Sequence, residues 1–200
     1  MSRLVAALSA IVLAGGRSSR LGQDKALLVL GGRPLIQHIV ARLQAFSDDV
    51  LVVTGPTVRY RQWLDVPLFA DEVQERGPIG GLYTGLKHAR YEYSLVAACD
   101  MPFISHAVVE LLRAELNGSV WAVVPEVAGH RIPTLAIYHK RCLEVIERLL
   151  DHHTSLQALL DAIPIRVISE AQIRAVDPDL RSFTNINTLT DWKRAMLLSL

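Results

Sequence analysis

The chain has 200 residues, half of them hydrophobic and 20% charged, which is ample for a buried core and excludes a disordered or fibrous polymer. Lys and Arg number 21 against 20 Asp and Glu, a net charge of +1, so no global field steers the protein to nucleic acid or to an anionic membrane. Any affinity for phosphate has to be local. Cys99 and Cys142 belong to no CxxC pair, which removes a disulfide framework and a zinc knuckle and fits a reducing cytoplasm. Arg3 and the apolar run Leu4–Ala14 have the outline of a short signal peptide. The run is too short to span a bilayer and leads, without an obvious cleavage site, into a glycine-rich stretch that needs a strand before it. A cytoplasmic location is the expectation. Length favours one domain, 1–200, and no linker or repeat divides it.

In chain order, short apolar runs alternate with segments of helical spacing. Ala7–Leu13 reads as a buried strand. Leu35, Ile36, Ile39, Val40, Leu43 and Phe46 mark one helix face, with Pro34 suited to the first turn. Val50–Val53 and Leu68–Ala70 read as strands, Gly77–Pro78 as a break before a helix near Gly81–Ala89, and Ser94–Ala98 as a strand closed by Pro102. Ser105 suits the cap of a helix reaching about Leu116, and Val120–Val124 follows as strand material. Thr134–Tyr138 and Ile165–Ile168 are further strands, with helices near Arg141–Leu150, near Ser155–Leu160 and from about Thr190. Strands separated by helices imply right-handed crossovers, hence an α/β fold with a mainly parallel central sheet and helices on both faces. Ligands of such sheets bind outside the carboxyl ends of the strands.

The segment Leu13-Ala-Gly-Gly-Arg-Ser-Ser-Arg-Leu-Gly-Gln-Asp-Lys25 sits at one such end. Adjacent glycines after a buried strand let main-chain N–H groups approach an anion, and Arg17, Arg20 and Lys25 place three cations within nine residues. A triphosphate cradle and a plain solvated turn both fit these residues. The spacing is neither GxxxxGK[ST] nor GxGxxG, so a Walker A enzyme and a dinucleotide dehydrogenase are disfavoured.

Leu13-Ala-Gly-Gly16, Arg20, Gly22-Gln-Asp-Lys25, Gly31-Gly-Arg-Pro-Leu35, Gly77-Pro-Ile-Gly-Gly-Leu82, Asp100-Met-Pro-Phe103 and Asn185-Ile-Asn187, in that order, resemble the molybdenum cofactor guanylyltransferase family over nearly the whole chain. The resemblance implies a three-layer, Rossmann-like nucleotidyltransferase fold. It also implies a cytoplasmic, Mg²⁺-dependent transfer of GMP from GTP to molybdopterin-bound molybdenum cofactor with release of pyrophosphate. GTP and that acceptor are the implied partners, and other cofactor-biosynthesis proteins are admitted alongside them. Carried over by position, Leu13, Ala14, Gly15, Gly16, Lys25, Asp71 and Asp100 would contact the nucleotide, and Asp100 would also bind Mg²⁺. Arg20 and Gly22 match loop positions tied to activity. Family members often have asparagine where this chain has Thr54, so that residue departs from the pattern and is carried over in its place as a nucleotide contact. His130 and Pro133, with Asn185 and Asn187, resemble stretches lining the pterin side, which divides the domain into a nucleotide part near 7–117 and an acceptor part near 118–200. Cytidylyl-transferring relatives resemble LAAG and DQPF where this chain has LAGG and DMPF, so Gly15 and Met101 lean toward guanine.

The chemistry would use these residue types. In-line attack of an acceptor phosphate on the α-phosphorus of GTP brings two anions together, so neutralisation and positioning carry the reaction. Asp100, following a strand and held by Pro102, suits a hard divalent cation, although aspartate there also fits a turn cap. Arg20 and Lys25 would stabilise the departing pyrophosphate. Asp71 would accept from ribose hydroxyls or base N–H groups, or simply be solvated beside Glu72 and Glu75. Gly80 and Gly81 allow close approach at a helix N-terminus, a natural anion site. Asn185 and Asn187 at alternate positions would face one way toward a pterin edge, or only cap the last helix. A cytidylyl or sugar-phosphate transferase and a non-catalytic nucleotide carrier or sensor remain the competing readings.

Overall fold

The computed structural model describes residues 6–15, 24–151 and 155–198. Its central sheet has eight strands, and β1 (Leu8–Leu13) lies in the middle of it. β1 pairs in parallel with β4 (Asp49–Val53) on one side and with β6 (Tyr93–Ala98) on the other, and β5 (Leu68–Phe69) extends the β4 edge in parallel. Beyond β6 the direction changes. β9 (Leu135–His139) is antiparallel both to β6 and to β7 (Ala122–Val127), and β10 (Ile165–Ile168) closes that edge parallel to β7. β8 (His130–Arg131) forms a short hairpin with β7. The expected α/β fold is therefore present with a mixed sheet that is mostly parallel, and Thr134–Tyr138 is the strand that enters against the grain.

Both faces of the sheet are covered. Along β1, Leu8, Ala10 and Val12 pack with the α1 (Leu35–Leu43) and α3 (His106–Ala114) side, while Ile11 packs with α2 (Pro78–His88), α4 (Cys142–Leu150) and α5 (Leu156–Ala162). This is why β1 reads as a continuous apolar run rather than an alternating one. Ser105 caps α3 by accepting from Val108 N at 3.2 Å, as its sequence position suggested. α6 (Glu170–Arg174) was not anticipated, although Ser169 and Gln172 form a reciprocal capping box before it. Among the described residues no helix is long and apolar enough to cross a membrane.

A third, smaller core lies at the carboxyl side of the sheet. Gly31 and Gly32, both with positive φ, turn β2 (Val29–Leu30) into β3 (Arg33–Pro34). Leu28, Leu30 and Leu35 pack there with Ile186 and with Ala195 of α7 (Leu189–Leu198), and Trp192 Nε1 donates to the Val29 carbonyl at 2.9 Å. The C-terminal segment is thus anchored over the start of the chain.

α2 crosses β1 closely at Gly85, where an added Cβ would stand 2.5 Å from Ile11 Cγ2. Alanine gains about 1 kcal/mol of helix propensity over glycine, whereas overpacking a close-packed core costs about 1–3 kcal/mol. Ile11 is fully buried and has nowhere to go. Gly85→Ala is expected to lower stability by about 1–2 kcal/mol in urea titration, against the propensity trend; an unchanged or raised midpoint would show that α2 can move off β1.

Candidate active site

The carboxyl ends of β1, β4 and β6 open into a cleft of about 1170 Å³, walled by Leu13, Ala14 and Gly15 after β1, Val53 at the end of β4, Asp71 after β5, and Cys99 and Asp100 after β6. Sites for small ligands commonly occupy about 300–1,000 Å³, so a nucleotide would leave room for part of a second substrate. The cleft lies where the chain leaving β1 crosses through α1 to β4 on one side while the chain leaving β5 crosses through α2 to β6 on the other, the place such folds use for ligands. Main-chain bonds fix its floor. Ala14 N donates to Val53 O at 2.8 Å and Cys99 N to Leu13 O at 3.1 Å. Burial pushes the Cys99 thiol up to about 12, which disfavours its thiolate.

Lys25 begins a 3₁₀ turn, Lys25–Leu27, which Asp24 caps by accepting from Ala26 N at 3.0 Å. From that turn Lys25 Nζ donates to Asp100 Oδ2 at 3.0 Å and to Asn187 Oδ1 at 2.6 Å. Asp100 is therefore not a turn cap; its carboxylate takes a cation at the mouth of the cleft. The Asp100 carbonyl accepts from Ile186 N at 3.0 Å, which seats the segment 185–187 beside it. Ile186 is fully buried, Asn185 lines the cleft and Asn187 holds the lysine, so the two asparagines do face the same way. They are not the caps of α7. Thr188 Oγ1 accepts from Asp191 N at 3.1 Å, and Asp191 Oδ2 accepts from the main-chain N–H groups of Asn187 and Thr188.

Opposite Lys25, the loops after β1 and β4 cross backbone to backbone. A Cβ on Gly15 would stand 2.9 Å from Gly55 Cα, and Gly55 itself holds φ +83°. The Gly55 carbonyl accepts from Asp71 N at 2.7 Å, which carries the crossing on to the acidic side chain. Asp71 is half-buried, and loss of water raises its carboxyl above the ordinary aspartate range. α2 enters this wall at Gly77, Pro78 and Gly81, so its amino end with unpaired N–H groups borders the same space.

Several expected contacts fall elsewhere. Thr54 is fully buried, and its hydroxyl donates to the Thr57 carbonyl at 2.7 Å; it supports the β4 loop and presents nothing to the cleft. Gly80 packs against the preceding loop, where a Cβ would meet Val73 O at 2.8 Å, and Gly81 is the glycine that faces the cleft. His130 is exposed on the β7–β8 hairpin, and the Pro133 carbonyl is taken by Tyr138 Oη at 2.8 Å; neither lines the cleft, whereas Thr134 does. Gly16, Arg20 and Gly22 lie outside the described residues. Arg59 also borders the cleft, without having been singled out in the sequence, because it sits in a loop with no periodicity to reveal it. Asp24 was missed as well, and the signal that could have found it is its place as the polar residue just before Lys25-Ala-Leu, a cap position.

Residues 10–167 match the model of the MobA-like NTP transferase domain. The chain belongs to that family. It is 38% identical to the molybdenum cofactor guanylyltransferase of Desulfosudis oleivorans over 191 residues, 94% of each chain. It is 35% identical to the enzyme of the same name from Syntrophotalea carbinolica, covering 93% of this chain and 89% of that one. Among solved structures, molybdopterin-guanine dinucleotide biosynthesis protein A from Archaeoglobus fulgidus superposes with a TM-score of 0.81 at 27% identity, covering 96% and 98% of the two chains. The family's fold is wider than its activity: a 2-C-methyl-D-erythritol 4-phosphate cytidylyltransferase from Thermus thermophilus superposes with a TM-score of 0.69 at 19% identity over 96% and 98%. Fold alone therefore does not choose the base.

The raised Asp71 carboxyl has a stability consequence. Its folded value lies above its unfolded one, so the stability linked to its proton is full below the unfolded value and is lost as pH rises through the folded one. At neutral pH the ionised group opposes folding. Asp71→Asn is expected to raise the thermal midpoint at pH 7 and to lose that advantage as the pH falls below the ordinary aspartate range. An Asn variant no more stable than the parent at pH 7 would contradict this.

Proposed function

We propose that this protein transfers GMP from GTP to molybdopterin-bound molybdenum cofactor, giving the guanine dinucleotide form of the cofactor and pyrophosphate. The observation that carries the reading is the meeting of Lys25 with Asp100 and Asn187 at the mouth of one cleft, in a chain whose relatives carry that activity in their names. Its setting is the cytoplasm, and its two parts are a nucleotide side, near 7–117, and an acceptor side, near 118–200, that share one sheet.

In this reading the main chain around Gly15 and the amino end of α2 receive the phosphates, and Asp71 accepts hydrogen bonds from ribose hydroxyls or base N–H groups. Lys25, with Arg20, sets positive charge against the β- and γ-phosphates. An oxygen of the acceptor's phosphate attacks the α-phosphorus, the bond from that phosphorus to the bridging oxygen of the β-phosphate breaks, and pyrophosphate leaves on the opposite face. Asn185 and Asn187 orient the acceptor from the C-terminal side, with Asn187 tied to the same lysine that faces the nucleotide.

The donor set fits Mg²⁺ as a shared ion. Asp100 offers a hard carboxylate that already takes a cation, and among the described residues no cluster of three or more His, Cys, Asp or Glu forms an all-protein cage. Mg²⁺ is commonly held in this way, by one or two carboxylates together with substrate phosphates and water. Asp100 is the residue that would hold it, and the chemistry supplied there would be neutralisation of negative charge on the phosphates and on the leaving pyrophosphate.

Guanine is preferred over cytosine on the names of the most similar relatives, since the cytidylyltransferase shares only the fold. The deciding measurement is the thermal midpoint with each of the four NTPs, with and without Mg²⁺, because a ligand that binds only the native state raises its stability. A Mg²⁺-dependent rise confined to GTP is expected, followed by pyrophosphate release when the molybdopterin acceptor is added. A rise with CTP alone overturns guanylyl transfer, and binding without turnover returns the protein to the class of carriers. Lys25→Ala is expected to lower turnover by about 10²–10³-fold in a protein that still folds.

A further inference from the structure

The lysine on which this reading rests is itself held in place from behind. Asp24, the residue before it, has a carboxylate with three partners. Oδ1 accepts from Ala26 N at 3.0 Å, and Oδ2 accepts from Arg59 Nη1 at 2.9 Å and from Tyr60 Oη at 2.8 Å. The Arg59 guanidinium reaches further. Its Nη2 donates to the Ala14 carbonyl at 3.0 Å, and Nη2 and Nε both donate to the Thr54 carbonyl, at 3.0 and 3.2 Å. One planar cation thus joins the end of β1, the end of β4 and the turn that carries Lys25. Tyr60 is buried and sits in the left-handed region at φ +70°, where a residue with a side chain is rarely found, and from there its ring lies under the guanidinium at 5.0 Å.

Ala14 and Asp24 bracket the glycine-rich segment. A displacement of about 1 Å at a reacting group can cost about 10²-fold in rate. Tying Asp24 to the ends of β1 and β4 fixes the backbone from which the Lys25 side chain starts. We infer that Arg59 and Tyr60 are positioning residues for the transfer reaction: by fastening the Ala14 carbonyl and the Asp24 carboxylate to the β4 loop, they aim Lys25 across the cleft at Asp100. Lysine cannot replace Arg59, since a single ammonium lacks the planar fork that spans three acceptors.

Arg59 borders the cleft, so the competing role is a direct ligand of the nucleotide, and a double-mutant cycle with Lys25 separates the two. Turnover and KM for GTP would be measured in the parent, Arg59→Ala, Lys25→Ala and the double variant. Acting through Lys25, Arg59→Ala lowers kcat by about 10–100-fold in the parent and by less than about 3-fold once Lys25 is gone. Arg59→Lys does not restore the rate, and Tyr60→Phe, which keeps the ring, loses about 3–10-fold with the same dependence on Lys25. A full loss from Arg59→Ala in both backgrounds, or a loss confined to KM, overturns the inference. If Arg59→Ala fails to fold, the cycle with Tyr60→Phe decides by the same criterion. The inference rests on the nucleotide reading of the cleft, so the cycle is repeated on nucleotide-induced thermal shifts with GTP and with CTP, which need no acceptor. A parent that binds nucleotide but releases no pyrophosphate defeats guanylyl transfer while coupled losses of affinity at positions 59 and 25 still support the brace and additive ones overturn it. A parent stabilised by no nucleotide overturns both.

Discussion

One ammonium group joins three distant stretches of this chain. Lys25 Nζ lies between the Asp100 carboxylate and the Asn187 amide oxygen, bridging sequence separations of 75 and 162 residues. A carboxylate and a neutral amide oxygen together orient this charge at the mouth of the cleft, the side from which an anionic substrate would approach. For the contact to exist, the turn after the glycine-rich segment, the end of β6 and the C-terminal segment must all arrive at one point. Much of the fold can be understood as the means of bringing them there.

The parallel pairing of β1 with β6 puts Leu13 opposite Ala98, so the chain leaves both strands at the same level and on the same side of the sheet. Burial of β1 on both faces makes that register costly to shift, because a slip of one residue would exchange its two sets of side chains. The C-terminal segment needs a separate anchor, since it belongs to no strand. Ile186 supplies it, with its side chain in the small core against Leu28, Leu30 and Leu35 and its N–H on the Asp100 carbonyl. Because Leu28 and Leu30 follow Lys25 directly, the same core fixes both partners of the Lys25–Asn187 bond.

Elements with a strong period were legible from residue order: β1, α3 and the strand before Asp100 all stand within two residues of where the spacing put them, and α1 begins at Leu35 as expected but ends at Leu43, short of Phe46. Strand direction was not, because the alternation along Leu135–His139 is the same whichever way the strand runs, and only the pairing with β6 and β7 makes it antiparallel. In the site, Asp71 and Asp100, each just after a strand, stand in the cleft wall where their sequence positions put them, with Lys25 and Asn187 meeting at Asp100. Thr54 and Gly80 misled because one position separates a residue that lines the cleft from one that faces inward: Val53 and Gly81 line it, and their neighbours Thr54 and Gly80 do not. Arg59 was invisible for another reason. Its four hydrogen bonds run to two main-chain carbonyls and one carboxylate, and a carbonyl leaves no signature in a sequence.

The backbone around the cleft is held in unusual conformations. Gly55, Tyr60, Glu75 and Gly77 all have positive φ, and they sit in the two connections, after β4 and before α2, that wall it. Tyr60 and Glu75 have side chains, so each conformation is unfavourable by about 1–3 kcal/mol and persists only because its surroundings impose it. For Tyr60 the imposing contact is its hydroxyl on Asp24; for Gly55 it is the crossing with Gly15, which also turns the Gly55 carbonyl toward Asp71 N. The Tyr60 ring lies in the main hydrophobic core, yet its hydroxyl leads through Asp24 to the cleft, as the Gly55 crossing leads to Asp71. A wall pinned by backbone crossings and hydrogen bonds in this way suits a reaction in which two anions must be brought together and the groups that neutralise them need fixed positions.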